Sequence, residues 1–393
     1  MNQYLGYSES ELERLKGFWT AKEIEQQPAC WQKTHAIIQE CRTQISAFMA
    51  DVFSQPKLRI VLTGAGTSAF AGRALAPALA KQTGLRIEAI ASTDIVSNPD
   101  EYLAEDLPTL LVSFARSGNS PESVAAVELV NNKLTTAYHL VLTCNVQGEL
   151  YTRCQADSQS LVLLMPEETN DKSFAMTSSF SSMMLAAFSS LTISQDHSKE
   201  VERFCKCSAA LVKEINKDII NIASESMRRV IYLGSGSLQG LAQESALKLL
   251  ELTAGKVVAC YDSPLGFRHG PKSIVDSETM IVVFISNDPY TRQYDLDLLE
   301  ELRRDNRAKR VIAISAQHED RVAAGQHYVI PDMAEATDSE LLFPYMLFAQ
   351  SYAFHRAIAL GNTPDNPCPS GEVNRVVQGV TIHYSHNYLK QSQ

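Results

Sequence analysis

Apolar and polar positions change rhythm once along this chain. Up to residue 53 the spacing is helical, with no alternation of period two. Thr20 reads as the cap of a segment ending near Pro28, and a longer helix is predicted from Trp31 to Phe53. From Leu58 onward, short apolar runs alternate with longer helical stretches. Leu58–Leu62 precedes Gly64-Ala65-Gly66-Thr67-Ser68 and an Ala-rich helix, and Thr109–Phe114 precedes Arg116-Ser117-Gly118-Asn119-Ser120 and a helix from Pro121. His139–Thr143 and Ser160–Leu164 are further strand candidates, and a helix from about Thr177 closes the unit. Apolar runs divided by helices predict a parallel sheet covered on both faces.

The second half repeats the plan. Val230–Leu233 leads into Gly234-Ser235-Gly236-Ser237 and a helix, and Thr279–Ile285 leads into Ser286-Asn287-Asp288-Pro289 and a helix. Val311–Ile314, Tyr328–Ile330 and a helix from about Asp338 follow. Gly64 to Gly234 is 170 residues, Ser113 to Ser286 is 173 and Leu142 to Ile314 is 172. Three landmarks at a near-constant offset predict one unit used twice. The expected organisation is α/β throughout: a helical arm over 1–53, one lobe over 54–215, a second over 216–360, and a Pro-, Gly- and Asn-rich tail over 361–393.

With 393 residues, 45% of them hydrophobic and 20% charged, the chain is long enough for two ordinary cores. The net charge is −10 with acids and bases interspersed, so no basic stripe for nucleic acid is present. No apolar run approaches the roughly 20 residues that span a bilayer, and Glu9, Glu11 and Glu13 do not suit a secretory signal, so the expected location is the cytoplasm. The eight cysteines, among them Cys205 and Cys207, lack zinc-finger spacing and read as reduced, buried thiols.

An acidic protein that binds a phosphate must hold it locally, with backbone N–H groups and hydroxyls. Gly64-Ala65-Gly66-Thr67-Ser68 supplies both where a strand meets a helix N-terminus. It is neither a Walker A loop nor a full dinucleotide fingerprint. Ser117-Gly118-Asn119-Ser120 is a second hydroxyl-rich turn, with Pro121 placed to start the next helix. Each turn alone has an ordinary explanation in tight-turn chemistry. Two of them at the ends of neighbouring parallel strands point to a phosphate ester.

Glu244, Lys248 and Glu251 stand at i, i+4 and i+7 among Ala and Leu, hence on one helix face that is expected to be part-buried. Burial raises a carboxyl toward the range a general base needs, and a lysine there holds it in place. Downstream, His269 sits between Arg268 and Gly270-Pro271-Lys272, a constrained loop carrying a group that titrates near neutrality.

Gly-Ala-Gly-Thr-Ser followed about 50 residues on by Ser-Gly-Asn-Ser-Pro-Glu-Ser resembles the sugar isomerase (SIS) domain. Over about Leu58–Gly379 the chain is similar to the isomerase half of glucosamine-6-phosphate synthase. It is most similar to the AgaS group of tagatose-6-phosphate ketose/aldose isomerases acting as galactosamine-6-phosphate deaminases. The resemblance implies phosphate contacts from Gly66, Thr67, Ser68, Arg116, Ser117 and Ser120, with Ala115 standing where the family has a serine. It implies ring opening by His269 and proton transfer between C2 and C1 by Glu251, with Lys248 and Glu244 beside it. In the synthase the corresponding histidine comes from a neighbouring subunit, which implies a homodimer or higher homo-oligomer.

Neither a metal nor a redox cofactor is implied. The glutaminase half of the synthase has no counterpart before the first lobe, so ammonia release or plain isomerisation is expected rather than synthesis. The synthase's tail lysine falls near Gln378, leaving His383 and His386 as substitutes. Two rivals remain at this point. A non-catalytic sugar-phosphate sensor would carry a helix-turn-helix that the acidic arm resembles poorly. A dinucleotide oxidoreductase would need the fuller glycine fingerprint. The main reading is deamination of galactosamine-6-phosphate to tagatose-6-phosphate, with ketose/aldose isomerisation of a non-amino sugar phosphate as the alternative.

Overall fold

The computed structural model describes residues 3–377 and 379–383. They divide into two compact units. One comprises Cys30–Asp171, Ser178–His197 and the described residues from Glu372 on; the other comprises those up to Ala29, Lys172–Thr177 and Ser198–Gly371.

The first sheet holds β1 (Arg59–Thr63), β2 (Arg86–Ala89), β3 (Thr109–Ala115), β4 (Ala137–Thr143) and β5 (Ser160–Leu164), all parallel, in the order β2-β1-β3-β4-β5. Every residue of β1 and β3 is buried, which is why both read as unbroken apolar runs. Helix α1 (Thr67–Thr83) follows β1 and helix α2 (Pro121–Lys133) follows β3. Val124, Val127 and Val130 of α2 pack on Val61, Leu111 and Val141 of the sheet.

The second sheet holds β6 (Arg229–Leu233), β7 (Val258–Asp262), β8 (Thr279–Phe284), β9 (Arg310–Ser315) and β10 (His327–Val329) in the order β7-β6-β8-β9-β10. The two topologies are the same. Arg59 pairs with Thr109, and Arg229 pairs with Thr279, so one register recurs after 170 residues. Helices α3 (Ser237–Leu252), α4 (Pro289–Asp305) and α5 (Asp338–Ala359) flank this sheet. The expected α/β architecture of two tandem lobes is what the chain adopts.

Differences from the sequence reading lie at the margins. Strand β2 went unread because it is a four-residue edge strand carrying Arg86 and Glu88, and β7 went unread although Val258–Tyr261 is an apolar run. The amino-terminal region is helical except for two-residue strands at Gln3–Tyr4 and Tyr7–Ser8. Thr20 caps nothing. It lies inside the helix Phe18–Glu25, and its hydroxyl and N–H both donate to the Asp365 carboxylate, at 2.7 and 2.8 Å. All eight cysteines are free thiols, and burial pushes Cys30, Cys144 and Cys205 up to about 12, which leaves them poor nucleophiles. Among the described residues, no helix is long and apolar enough to cross a membrane.

Candidate active site

In a sheet of order 2-1-3-4-5, the chain runs to opposite sides from the first and third strands, opening a crevice beyond their carboxyl ends. Those strands are β1 and β3, and both hydroxyl-rich turns follow them. Gly64 is required there by close approach: a Cβ would stand 2.4 Å from the Ser68 Cβ and 3.1 Å from the Phe114 carbonyl oxygen. Gly66 caps α1 at φ +56°, a conformation that L side chains rarely adopt. Thr67 and Ser68 are buried in the first turn of α1.

The second turn is braced from behind. Asn145 donates to the Ser117 carbonyl at 2.8 Å, and Gly118, at φ +66°, lies against Gly148, where a Cβ would meet the Ser117 carbonyl at 2.7 Å. The Asn145 and Gly148 supports were missed in the sequence, since Asn-Val-Gln-Gly after β4 reads as an ordinary turn. Ser120 caps α2: its hydroxyl donates to Ser123 Oγ at 2.6 Å and accepts from the Ser123 N–H. Arg116 is buried, and its Nη2 donates to the carbonyl of Arg375 at 2.7 Å. The Arg375 guanidinium in turn donates to the carbonyl of Asp171. The tail therefore reaches the second turn, although its described residues form neither helix nor strand.

The other unit carries the acid–base row. Helix α3 is rich in Ala and Leu, packs against α5 and β7, and ends where Ala254 and Gly255 turn to positive φ. The spacing predicted a part-buried face, and burial is deeper than that. The side chains of Glu244 and Lys248 are each 1% exposed and that of Glu251 is 21% exposed. Lys248 Nζ lies 3.5 Å from Glu244 Oε1 and is hydrogen-bonded to Glu251 Oε2. The ordinary surface pair is ruled out by this burial. Of the three groups, Glu251 is the one that reaches solvent.

His269 is exposed, on a loop between Phe267 and Val275, both of which are buried. Gly270 beside it has φ +127°, so glycine is needed for its backbone. Of the tail positions, His383 is exposed, and Gln378 and His386 lie outside the described residues.

A family model described as the SIS domain matches residues 53–193 and 224–359, together more than half of the chain. The chain is 51% identical over 370 residues to D-galactosamine-6-phosphate deaminase AgaS of Escherichia coli, covering 93% of this chain and 96% of that protein. It superposes on the crystal structure of tagatose-6-phosphate ketose/aldose isomerase from Escherichia coli with TM-score 0.89 and 47% identity, covering 94% of this chain and 97% of that one. The C-terminal domain of glucosamine-fructose-6-phosphate aminotransferase from Francisella tularensis shares the fold, with TM-score 0.71 at 18% identity over 88% of this chain and 98% of that one. Repeated topology, repeated turns and these similarities agree: the chain belongs to the SIS domain family.

Proposed function

We propose that this protein deaminates galactosamine-6-phosphate to tagatose-6-phosphate and ammonia by general acid–base catalysis. The turns after β1 and β3 take the phosphate ester through Gly66, Thr67, Ser68, Ser117 and Ser120, with Arg116 as a charged donor. Held by this remote group, the sugar presents its reacting carbons without further ordering cost. His269 assists opening of the ring. Glu251 removes the C2 proton to give an enolamine, and the proton returns at C1. Water then adds to the resulting C2 imine, the C–N bond breaks, and ketose phosphate and ammonia leave. Lys248, with Glu244 beside it, fixes the Glu251 carboxylate.

The observation that carries this reading is the row on α3. Its buried lysine is flanked by two carboxylates, one of which faces solvent as a base must. The 51% identity to a galactosamine-6-phosphate deaminase supports the choice of substrate. A second reading, ketose/aldose exchange of a hydroxy sugar phosphate, needs the same proton transfer and is favoured by the isomerase structure at 47% identity. An exposed His269 fits a residue offered to a second copy of the chain, so the assembly is read as a homodimer or higher homo-oligomer, and its place as the cytoplasm.

The test is to incubate the protein with galactosamine-6-phosphate, glucosamine-6-phosphate and tagatose-6-phosphate and to measure ammonia and ketose. Ammonia equimolar with ketose from galactosamine-6-phosphate is expected. Ketose–aldose exchange with no ammonia from either amino sugar removes the deaminase reading in favour of the second one.

A further inference from the structure

Buried Phe267 and Val275 hold the two ends of the His269 loop, and half-buried Ile274 packs on the same core beside Val275. Between them, His269, Gly270, Pro271 and Ser273 are exposed, and a cavity of about 290 Å³ lies under the loop, lined by Arg268, Lys272, Leu302, Asp305 and Arg307. Local backbone bonds, His269 N–H to the Gly266 carbonyl at 2.9 Å and Ser273 N–H to the Gly270 carbonyl at 3.0 Å, shape the loop but do not attach it to the rest of the unit.

Arg229 Nη1 donates to the Ile274 carbonyl at the far end of the loop, at 3.3 Å, but beside His269 the attachment is ionic. Glu301 on α4 receives Arg268 Nε on Oε2 at 2.9 Å and Lys272 Nζ on Oε1, and Asp305, one turn on, receives Lys272 Nζ at 2.5 Å. One carboxylate thus grips the loop on both sides of His269, at the residue before it and the third residue after it. The hydrogen bond from Lys272, then the charge of Arg268, outweigh burial and hold the Glu301 carboxyl below its ordinary value. Single ion pairs of this exposure contribute little to folding stability. A carboxylate bonded to two cations on one short loop instead fixes where that loop stands.

We infer that Glu301 is a positioning residue for His269, holding the imidazole in place for ring opening. The inference rests on the role of His269 proposed above. Displacing a catalytic group by about 1 Å costs up to about 10²-fold in rate. With both pairs to Glu301 weakened and the Asp305–Lys272 pair kept, Glu301→Gln is expected to lower kcat about tenfold and to change KM less than about twofold.

The test is a double-mutant cycle on the full chain. Ammonia release from galactosamine-6-phosphate is measured for the unmodified protein, E301Q, H269N and E301Q/H269N. E300Q serves as a control, because Glu300 pairs with Arg321 outside the clamp. Acting through His269, E301Q adds nothing in the H269N background, whereas a merely structural loss would multiply there as well. E300Q stays at the unmodified rate. If E301Q fails to fold, Arg268→Gln breaks the Arg268–Glu301 pair from the loop side and replaces it in the cycle. A crippled H269N with an unaffected E301Q, or a further tenfold loss in the double variant, overturns the clamp alone. Full turnover by H269N, or none by the unmodified protein, overturns the proposed function and the clamp with it.

Discussion

An ammonium group enclosed by protein costs several kcal/mol in lost hydration unless its charge is matched. Lys248 is matched from both directions along one face of its own helix, by Glu244 and Glu251. Replacing it by methionine strips the cation from beside the buried Glu244 carboxylate, and breaking such a buried pair costs about 3–5 kcal/mol. Urea unfolding of Lys248→Met is expected to show that loss, and a change below about 1 kcal/mol would mean that the lysine is not enclosed in solution. At this scale the sequence shows spacing but not depth. The i, i+4, i+7 row was legible, but the distinction between an enclosed Lys248 and a solvent-facing Glu251 was not. Glu301 was invisible for a different reason: it acts on residues some 30 positions away, and nothing local marks it.

The two sheets repeat one design, yet their crevices differ in charge. After β6 and β8, the donors that would receive an anion are taken by the chain's own carboxylates. Asp295 accepts from Ser235 Oγ at 2.6 Å and from the Ser286 N–H at 2.9 Å, while Asp338 accepts from Ser286 Oγ at 2.6 Å and from the Asn287 N–H at 2.8 Å. A phosphate dianion would meet two carboxylates there, so the crevice of the first sheet is the one suited to the ester. Burial pushes the Asp295 carboxyl up to about 7, against the lowering pull of Ser235, Ser286 and Arg292. An unfolded aspartate titrates near 3.9, so the folded state holds this proton to higher pH. The stability it contributes is fully present below the lower value and is lost as pH rises through about 7. Asp295→Asn removes that titration, and Ser235 Oγ can turn to accept from the new amide. Relative to this variant, the unmodified protein should decline by up to about 1.4 kcal/mol per pH unit between pH 5 and 7 and level off above. Urea midpoints across pH 5–8 check this, and a difference independent of pH contradicts it. The Gly-Ser-Gly-Ser turn was legible as a counterpart of the first cradle. Its occupancy by Asp295 was not, because that residue lies 60 positions further on.

For the whole molecule, repetition carried most of what could be read in advance. The landmarks at offsets of 170 to 173 residues correspond to two sheets of one strand order and one register. The edge strands β5 and β10 were legible, whereas β2 escaped because Arg86 and Glu88 break its four residues, and the tail contact between Arg116 and Arg375 escaped because it joins residues 259 positions apart. The account as a whole depends on a helix-borne carboxylate that moves the C2 proton of a phosphorylated amino sugar. Glu251→Gln keeps the shape of that side chain and removes its basicity, and general base catalysis is worth about 10²–10⁴-fold. The decisive measurement is turnover and binding of galactosamine-6-phosphate by this variant. Ammonia release lowered by about 10²–10⁴-fold with sugar-phosphate affinity retained is predicted, and turnover at the unmodified rate would contradict it.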